Sequence, residues 1–449
     1  MGKLFGTDGI RGEANQYPMD AMTAFSVGQA VTHLFKTSDH QSRVIIGKDT
    51  RISGDMLEDS LGAGIISMGG TPYLVGVLPT PGIAFATRSM DADAGIVISA
   101  SHNPYQDNGI KIFSGDGFKL SDEQERIIEG LVSGGRLPSF APSAKGEGST
   151  KRRADVFEEY VAFLKDTFPG NLSLAGKKII IDAANGATYR VAPLVLADLG
   201  AEIEVIHDKP NGININDNCG SQYTQDLQER VRKGGADMGL AFDGDGDRLI
   251  AIDERGRRIT GDQSILICAK ALKDEAMLRN NLVVTTVMSN LGLVIACKKF
   301  GFRHHASKVG DRYVLEDMRR LGAMIGGENS GHSIFLDHHT TGDGILAALQ
   351  LIAAMLKEGK TMSQLASLMD IYPQKLINVE VLQKPEISTV PQIVEAIKVV
   401  ERGLGEKGRV LVRYSGTQNL CRIMVEGPTE DLTEKYCNQV ARVVKEALG

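Results

Sequence analysis

Three stretches of the chain repeat one pattern: a short β-branched run, a turn of small residues, a helix-length amphipathic stretch and a closing glycine. They run from Val44 to Gly70, from Lys178 to Gly200 and from Leu282 to Gly301. After each, a second apolar run leads into a polar, glycine-rich turn. These read DAGIVISASHNP at 93–104, ADMGLAFDGDGDR at 236–248 and GAMIGGENSGH at 322–332. Strands alternating with helices predict crossover units and mixed or parallel sheets, where ligands gather beyond the carboxyl ends of strands. The pattern therefore predicts three related α/β domains with mixed sheets, whose equivalent turns can face one central cleft. Spacings differ between the repeats and identities are few, so three independent α/β units are the alternative.

The stretch SGGRLPSFAPSAKGEGSTKRR, rich in Ser, Gly, Pro and charge, predicts a surface linker near 133–153. A softer boundary follows the turn DERGR near residue 256, and near Ile371 helix-like composition gives way to KLINVEVLQK. The expected segments are 1–153, 154–255 and 256–370, each α/β, and a smaller α+β domain over 371–449 that ends in a helix from Thr429 to Leu448. A length of 449 residues agrees with several domains rather than one core.

Composition narrows the function classes. A hydrophobic content of 42%, a charged content of 24% and a net charge of −6 without a long basic block argue against disorder, a membrane class and a nucleic-acid scaffold. The N-terminal segment carries Lys3, Asp8 and Arg11 in place of an apolar signal core, and no spanning segment is visible. Five scattered cysteines without a C-x-x-C pair suggest neither a disulfide framework nor a zinc site. The expectation is a cytoplasmic enzyme with no nucleic-acid or membrane partner.

The sharpest chemistry lies in Asp243-Gly244-Asp245-Gly246-Asp247-Arg248. Carboxylates this close repel one another unless a cation gathers them, and hard oxygens suit Mg²⁺ better than zinc. An EF-hand fails because Arg248 holds the position that needs glycine and strand-like residues flank the loop; a solvated acidic turn is the alternative. In Ser99-Ala100-Ser101-His102-Asn103-Pro104 the turn-forming Asn-Pro exposes the Ser101 hydroxyl. There is no G-x-S-x-G elbow, no Rossmann G-x-G-x-x-G and no complete P-loop, since Ala354 stands where the first glycine belongs before Gly359-Lys360-Thr361. Lys111 has chemical interest only beside Ser101. Near the C-terminus Arg413, Ser415, Gly416, Thr417 and Arg422 offer the forks and hydroxyls that a phosphate dianion requires. Glu328, Ser330 and His332 suit sugar hydroxyls, whereas His338 and His339 carry no chemical expectation.

Taken in order, GTDGIRG, ISASHNP, DGDGDR, GGENSGH and RYSGT resemble the α-D-phosphohexomutase family across essentially the whole chain. KLFGTDGIRG, MSNLG at 288–292 and VGDRYV at 309–314 look like its bacterial amino-sugar branch. The resemblance implies four domains around a cleft, Ser101 as the phosphoserine, and Mg²⁺ held by Asp243, Asp245, Asp247 and a phosphoserine oxygen. It implies that the Glu328, Ser330 and His332 loop reads sugar hydroxyls and that Arg413, Ser415, Gly416, Thr417 and Arg422 hold the nonreacting phosphate. Arg11, His102, Lys111 and Arg248 match active-site positions, with Lys111 and His332 as acid/base candidates. The implied substrate is a hexosamine phosphate, glucosamine 6-phosphate, converted through glucosamine 1,6-bisphosphate, which is intermediate and activator. The chain departs from that branch at Gln418-Asn419, where Glu-Pro is usual, and at Asn329, where Gln is common. A glucose or mannose phosphate mutase, a phosphatase and a noncatalytic sugar-phosphate sensor are the alternatives. The oligomeric state stays open, a homodimer included.

Overall fold

The structure is a computed structural model that describes residues 4–6, 8–36, 40–134, 149–415 and 419–449. The chain forms two compact units, one of residues 1–287 with 303–367 and one of 288–302 with 368–449.

Among the described residues the first unit contains three sheets. The first comprises β1 (Ile10–Glu13), β2 (Arg43–Lys48), β3 (Thr71–Val77), β4 (Ala94–Ile98), β5 (Asp107–Ser114) and β6 (Lys151–Arg152), ordered β1-β5-β4-β2-β3-β6. The second comprises β7 (Lys178–Asp182), β8 (Glu202–Ile206), β9 (Met238–Phe242), β10 (Leu249–Asp253) and β11 (Arg258–Ile259), ordered β11-β10-β9-β7-β8. The third comprises β12 (Leu282–Thr286), β13 (Arg303–Ser307), β14 (Ile325–Gly327) and β15 (Ser333–Phe335), ordered β13-β12-β14-β15.

One four-strand core recurs in all three. A central strand, β2, β7 or β12, has parallel neighbours on both sides: β3, β8 or β13 on one and β4, β9 or β14 on the other. The latter strand then reverses into an antiparallel partner, β5, β10 or β15. The repeat in the sequence is thus a repeat of topology, and each polar turn occupies the same place, the hairpin after the last parallel strand. The central strands are almost wholly buried, as strands covered on both faces must be, which is why they read as continuous β-branched runs. Two short edge strands lie where the sequence suggested connections: β6 closes the linker onto β3, and β11 returns to β10 beyond the turn at 256.

Local signals fix the helix ends. Asp20 caps Ala21–Leu34 by accepting from Thr23 N at 2.8 Å, and Ser121, Thr260 and Thr361 form reciprocal capping boxes with Gln124, Gln263 and Gln364. Asp343 caps the helix Gly344–Glu358 with two backbone bonds and also accepts from the buried Tyr160 hydroxyl at 2.7 Å, while burial pushes its carboxyl up to about 6. Among the described residues no helix is long and apolar enough to cross a membrane.

The second unit is the antiparallel sheet of β16 (Gln374–Glu380), β17 (Arg409–Tyr414) and β18 (Leu420–Glu426), ordered β16-β18-β17. Helices Pro391–Leu404 and Glu430–Leu448 pack on it through Ile393, Val400, Val440 and Val444. It also claims a helix, Leu291–Phe300, that the sequence pattern assigns to the third α/β repeat. The reason is polar: the fully buried Glu426 carboxylate accepts from Leu291 N at 3.2 Å, and Asn290 donates to Tyr372 O at 2.9 Å. A helix N-terminus favours an anion, so the two fasten each other.

Helices Ala21–Leu34 and Gly54–Ser67 cross in contact of their backbones. A Cβ at Gly64 would lie 2.1 Å from Phe25 O, and one at Gly28 2.3 Å from Leu61 O. Gly64→Ala should therefore destabilise the first unit, because overpacking of about 1–3 kcal/mol outweighs the helix-propensity gain of about 1 kcal/mol. The check is a denaturation midpoint lower than wild type; an unchanged or higher midpoint would mean the helices separate at no cost.

Candidate active site

The hairpin turns of the first unit carry the chemically active side chains. Ser101 lies just beyond β4 with φ +54, a left-handed conformation rare for a residue with a side chain and costing on the order of 1–3 kcal/mol. Four neighbours hold it there. Ser99, pointing to the other side, donates to Asp49 at 2.5 Å and accepts from Ser101 N at 2.9 Å. Arg51, with its side chain wholly buried, donates to the carbonyls of Ser101 and Asn103 at 3.0 and 2.8 Å, and also to Pro104 O. Asn216 donates to the same Ser101 carbonyl at 2.9 Å. Gly244, in the turn of Asp243, Asp245 and Asp247, packs against this carbonyl: a Cβ there would come within 2.6 Å of Ser101 O.

Held this way, Ser101 is buried rather than exposed as the Asn-Pro turn suggested, because the acidic turn packs over it; its Oγ donates to Asp243 Oδ2 at 2.7 Å and lies 3.3 Å from His102 Nδ1. Asp243, Asp245 and Asp247 are buried, with one oxygen from each within 4.8 Å of the others. Burial, with Asp247 and Asp245 adding, pushes the Asp243 carboxyl well above its ordinary range. Burial also works against ionised Asp247, but Lys111 and then His332 outweigh it and hold that carboxyl well below its ordinary range. Among the described residues, the buried Oδ1 atoms of Asp245 and Asp247 accept no hydrogen bond. Converging carboxylates with unsatisfied oxygens and a proton-prone member fit a hard divalent cation.

Lys111 is a buried residue here, donating to Asp245 at 2.8 Å and to Asp247 at 3.4 Å. Burial disfavours its charge, yet Asp245, Asp8 and Asp247 raise its pKa well above the ordinary lysine value. A closed ring of alternating charge runs through it. Asp247 pairs with Lys111, Lys111 with Asp8 at 3.3 Å, Asp8 with Lys119, Lys119 with Asp311, and His332 bridges Asp311 and Asp247 at 3.6 Å each. Burial opposes protonation of His332, but Asp247 and Asp311 raise its pKa. Arg11 reaches Asp8 at 2.6 Å and Ala100 O at 3.5 Å. Arg248 lies within 4 Å of both Asp243 and Asp247, and its backbone bridges to His332. Burial, Arg248 and Arg11 pull His102 down to about 4, so it is neutral near pH 7. Glu328 accepts from Gly310 N at 3.0 Å and from Ser330 at 3.3 Å, which closes the third turn. His338 and His339 lie outside this set; burial pulls His339 down to about 4, and its Nε2 is 2.9 Å from Pro81 O.

The second unit carries Arg413, Ser415 and Arg422. The two arginines are directly opposed on β17 and β18, and among the described residues neither forms an ion pair. Burial and then Arg422 lower the pKa of Arg413, and the Arg422 Nε is buried without a hydrogen bond among the described residues. Like charges in register are unfavourable alone, so an anion is the natural third member. Ser415 is buried, and its carbonyl accepts from Lys384 at 3.1 Å. Gly416 and Thr417 lie outside the described residues.

Sequence reasoning missed Arg51, Asp8, Lys119, Asp311, Thr80 and Lys384. Thr80 donates to Asp245 at 2.6 Å. Asp8 and Asp311 lie inside motifs already quoted, GTDGIRG and VGDRYV, where an acid beside glycine was the available signal; the others sit in ordinary surroundings, and only folding gives them their partners.

Sequence patterns described as phosphoglucomutase/phosphomannomutase alpha/beta/alpha domains I, II and III match residues 2–137, 158–256 and 260–372, and the C-terminal domain pattern matches 376–443. A phosphoglucosamine mutase of Syntrophobacter fumaroxidans is 68% identical over 449 residues, covering all of both chains. The chain belongs to the phosphohexomutase family. A second phosphohexomutase relative, the phosphoglucosamine mutase of Syntrophus aciditrophicus, is 60% identical over the full length of both chains. The phosphohexomutase fold is shared with a phosphoglucomutase/phosphomannomutase family protein from Burkholderia thailandensis at TM-score 0.80 and 23% identity, covering 99% of this chain and 97% of that one. It is also shared with an Aspergillus fumigatus N-acetylphosphoglucosamine mutase in complex with GlcNAc-6P and magnesium, at TM-score 0.72 and 17% identity over 99% and 96% of the chains.

The ring makes a stability prediction. Lys119→Met leaves Asp8 and Asp311 without their shared cation, and breaking a buried pair costs about 3–5 kcal/mol. Partial exposure of Asp8 places the effect at the lower end. Lys119→Met combined with Asp311→Asn should recover part of the loss in denaturant titration, whereas a single variant as stable as wild type would mean the ring holds nothing together.

Proposed function

We propose that this chain interconverts glucosamine 6-phosphate and glucosamine 1-phosphate, with phospho-Ser101 as the phosphoryl carrier and glucosamine 1,6-bisphosphate as the intermediate. One observation carries the reading: a strained, buried serine donates to one of three converging aspartates at 2.7 Å, with Lys111 on the other two. The phosphoglucosamine mutase relative at 68% identity over the whole chain supports the amino-sugar substrate.

Asp243, Asp245 and Asp247, with an oxygen of phospho-Ser101, would hold Mg²⁺, which when bound supplies charge neutralisation for the transferring phosphoryl group. The chain's own residues do the rest. The bond between phosphorus and Ser101 Oγ breaks as one to the sugar O1 forms; the O1 proton passes to a base at the site and the departing Oγ takes up a proton. After the bisphosphate turns over, Ser101 Oγ gives its proton to a base at the site as it takes the 6-phosphoryl group, and the departing O6 takes up a proton. Lys111, kept as an ammonium by Asp245 and Asp8, is the acid in this scheme, and His332, bridging Asp247 and Asp311, is the second acid/base group. Arg11, His102 and Arg248 surround Ser101 and stabilise phosphoryl charge. Glu328, Ser330 and His332 hold sugar hydroxyls. Arg413, Ser415 and Arg422, with Gly416 and Thr417, take the nonreacting phosphate. Hexosamine phosphates are the expected partners, and the cytoplasm, where such phosphates occur, is the expected compartment.

The deciding assay supplies Mg²⁺, a trace of the 1,6-bisphosphate and the 6-phosphate of glucosamine, glucose or mannose, and follows isomer and free phosphate. Glucosamine 6-phosphate should give the highest kcat/KM without phosphate release. Ser101→Ala should fold and lose essentially all turnover, while peptide fragmentation of active wild type places one added phosphoryl group on Ser101. Normal turnover of that variant, or a dischargeable phosphate elsewhere, would refute the carrier role.

Arg413→Ala removes a charge-assisted contact to the distal phosphate, worth about 1.5–3 kcal/mol. Sugar-phosphate kcat/KM should fall by roughly ten- to a hundred-and-fifty-fold, with phosphorylation of Ser101 by a small donor affected less. Unchanged KM and kcat for every hexose phosphate would remove the arginines from the scheme.

A further inference from the structure

Asp182, His207 and Cys219 take no part in the phosphoryl site, yet they converge beyond the carboxyl ends of β7 and β8. One carboxylate oxygen, one imidazole nitrogen and the Cys219 Sγ lie within 4.8 Å of one another. His207 Nδ1 is 3.1 Å from Asp182 Oδ1. Cys219 is 1% exposed and Asp182 fully buried. Backbone amides aim the carboxylate: Ala184 N donates to Asp182 Oδ1 at 2.9 Å and Gly220 N to Oδ2 at 2.8 Å. On the far side of the imidazole, Asp226 Oδ2 lies 3.6 Å from Nε2.

These are the parts of a transition-metal centre. A tetrahedral ion with bonds of about 2.0 Å to nitrogen and oxygen and about 2.3 Å to sulfur places its ligand atoms about 3–4 Å apart. A carboxylate behind the second ring nitrogen is the usual means of orienting a ligating histidine. Sulfur, imidazole and carboxylate together select Zn²⁺ or Co²⁺ over Mg²⁺, the reverse of the preference of the all-oxygen aspartate cluster. The ligands are spread over 182–219, so no compact motif announces them.

We propose that Asp182, His207 and Cys219 form a second metal site that binds one thiophilic divalent cation, Zn²⁺ in type, with solvent as the fourth ligand. Binding exchanges the thiol proton of Cys219, released to solvent, for a sulfur–metal bond without change of oxidation state. His207, 27% exposed, provides the route of entry. The segment between His207 and Cys219 carries Asn216, which donates to Ser101 O and Asn103 O. An ion joining both ends of that segment stiffens the support of the Ser101 turn, so this site tunes the phosphoryl carrier from outside the substrate's reach. The metal site itself does not depend on the reaction proposed above.

The test uses the full chain, stripped with a chelator and held in excess Mg²⁺ to occupy the aspartate cluster. Titration with Co²⁺ should give, at one equivalent, a thiolate-to-cobalt charge-transfer band in the near ultraviolet and the visible bands of tetrahedral cobalt, both bleached by stoichiometric Zn²⁺. Cys219→Ser should lose the charge-transfer band. His207→Gln should weaken Co²⁺ binding more than about tenfold, and Asp243→Asn should leave the spectrum intact. Hydrogen exchange over 208–218 should slow when Zn²⁺ is added to wild type but not to His207→Gln. A wild-type titration without a charge-transfer band overturns the site even if a variant fails to fold, as does a band that persists in Cys219→Ser. A bound ion that leaves exchange at 208–218 unchanged overturns the coupling to Ser101.

Discussion

The arrangement of the first unit depends on one electrostatic constraint: the carboxylates of Asp243, Asp245 and Asp247 are buried together on a single hairpin turn. Burial of ionised groups is costly unless opposite charge is close, and Lys111 supplies it to Asp245 and Asp247. Lys111 in turn requires Asp8, Asp8 requires Lys119, and Lys119 requires Asp311, until His332 returns the ring to Asp247. The N-terminal turn, β5, the metal loop and the third hairpin are thereby held to one another by charge at the place where their apolar cores stop.

A second constraint acts on Ser101. Ser101 is kept left-handed by donors from separate segments, Arg51 after β2 and Asn216 after β8, and by the absence of a side chain at Gly244. The strain is local and the restraint is distributed, which is the arrangement that keeps a hydroxyl aimed while charge around it changes. The same segments therefore serve both the packing of the unit and the direction of Ser101 Oγ toward Asp243.

The second unit solves the opposite problem. Arg413 and Arg422 face each other across β17 and β18, so there the excess is positive and half-buried. A phosphate dianion balances such a pair as Lys111 balances the aspartates.

Much of this was legible in the chain. Continuous β-branched runs and closing glycines marked the three repeats, because those signals act over a few residues. The motifs also marked Ser101, the aspartates, His332 and the arginines, since their chemistry is conspicuous at short spacing. Tertiary structure alone decided the rest. It turned Lys111 from an ordinary lysine into a buried cation, gave Arg51 and Lys119 their partners, and assigned the helix Leu291–Phe300 to the second unit through Glu426. It also gathered Asp182, His207 and Cys219 from distant positions. These outcomes depend on which charges are buried beside one another, and burial is a property of the packed chain, which no local pattern of residues encodes.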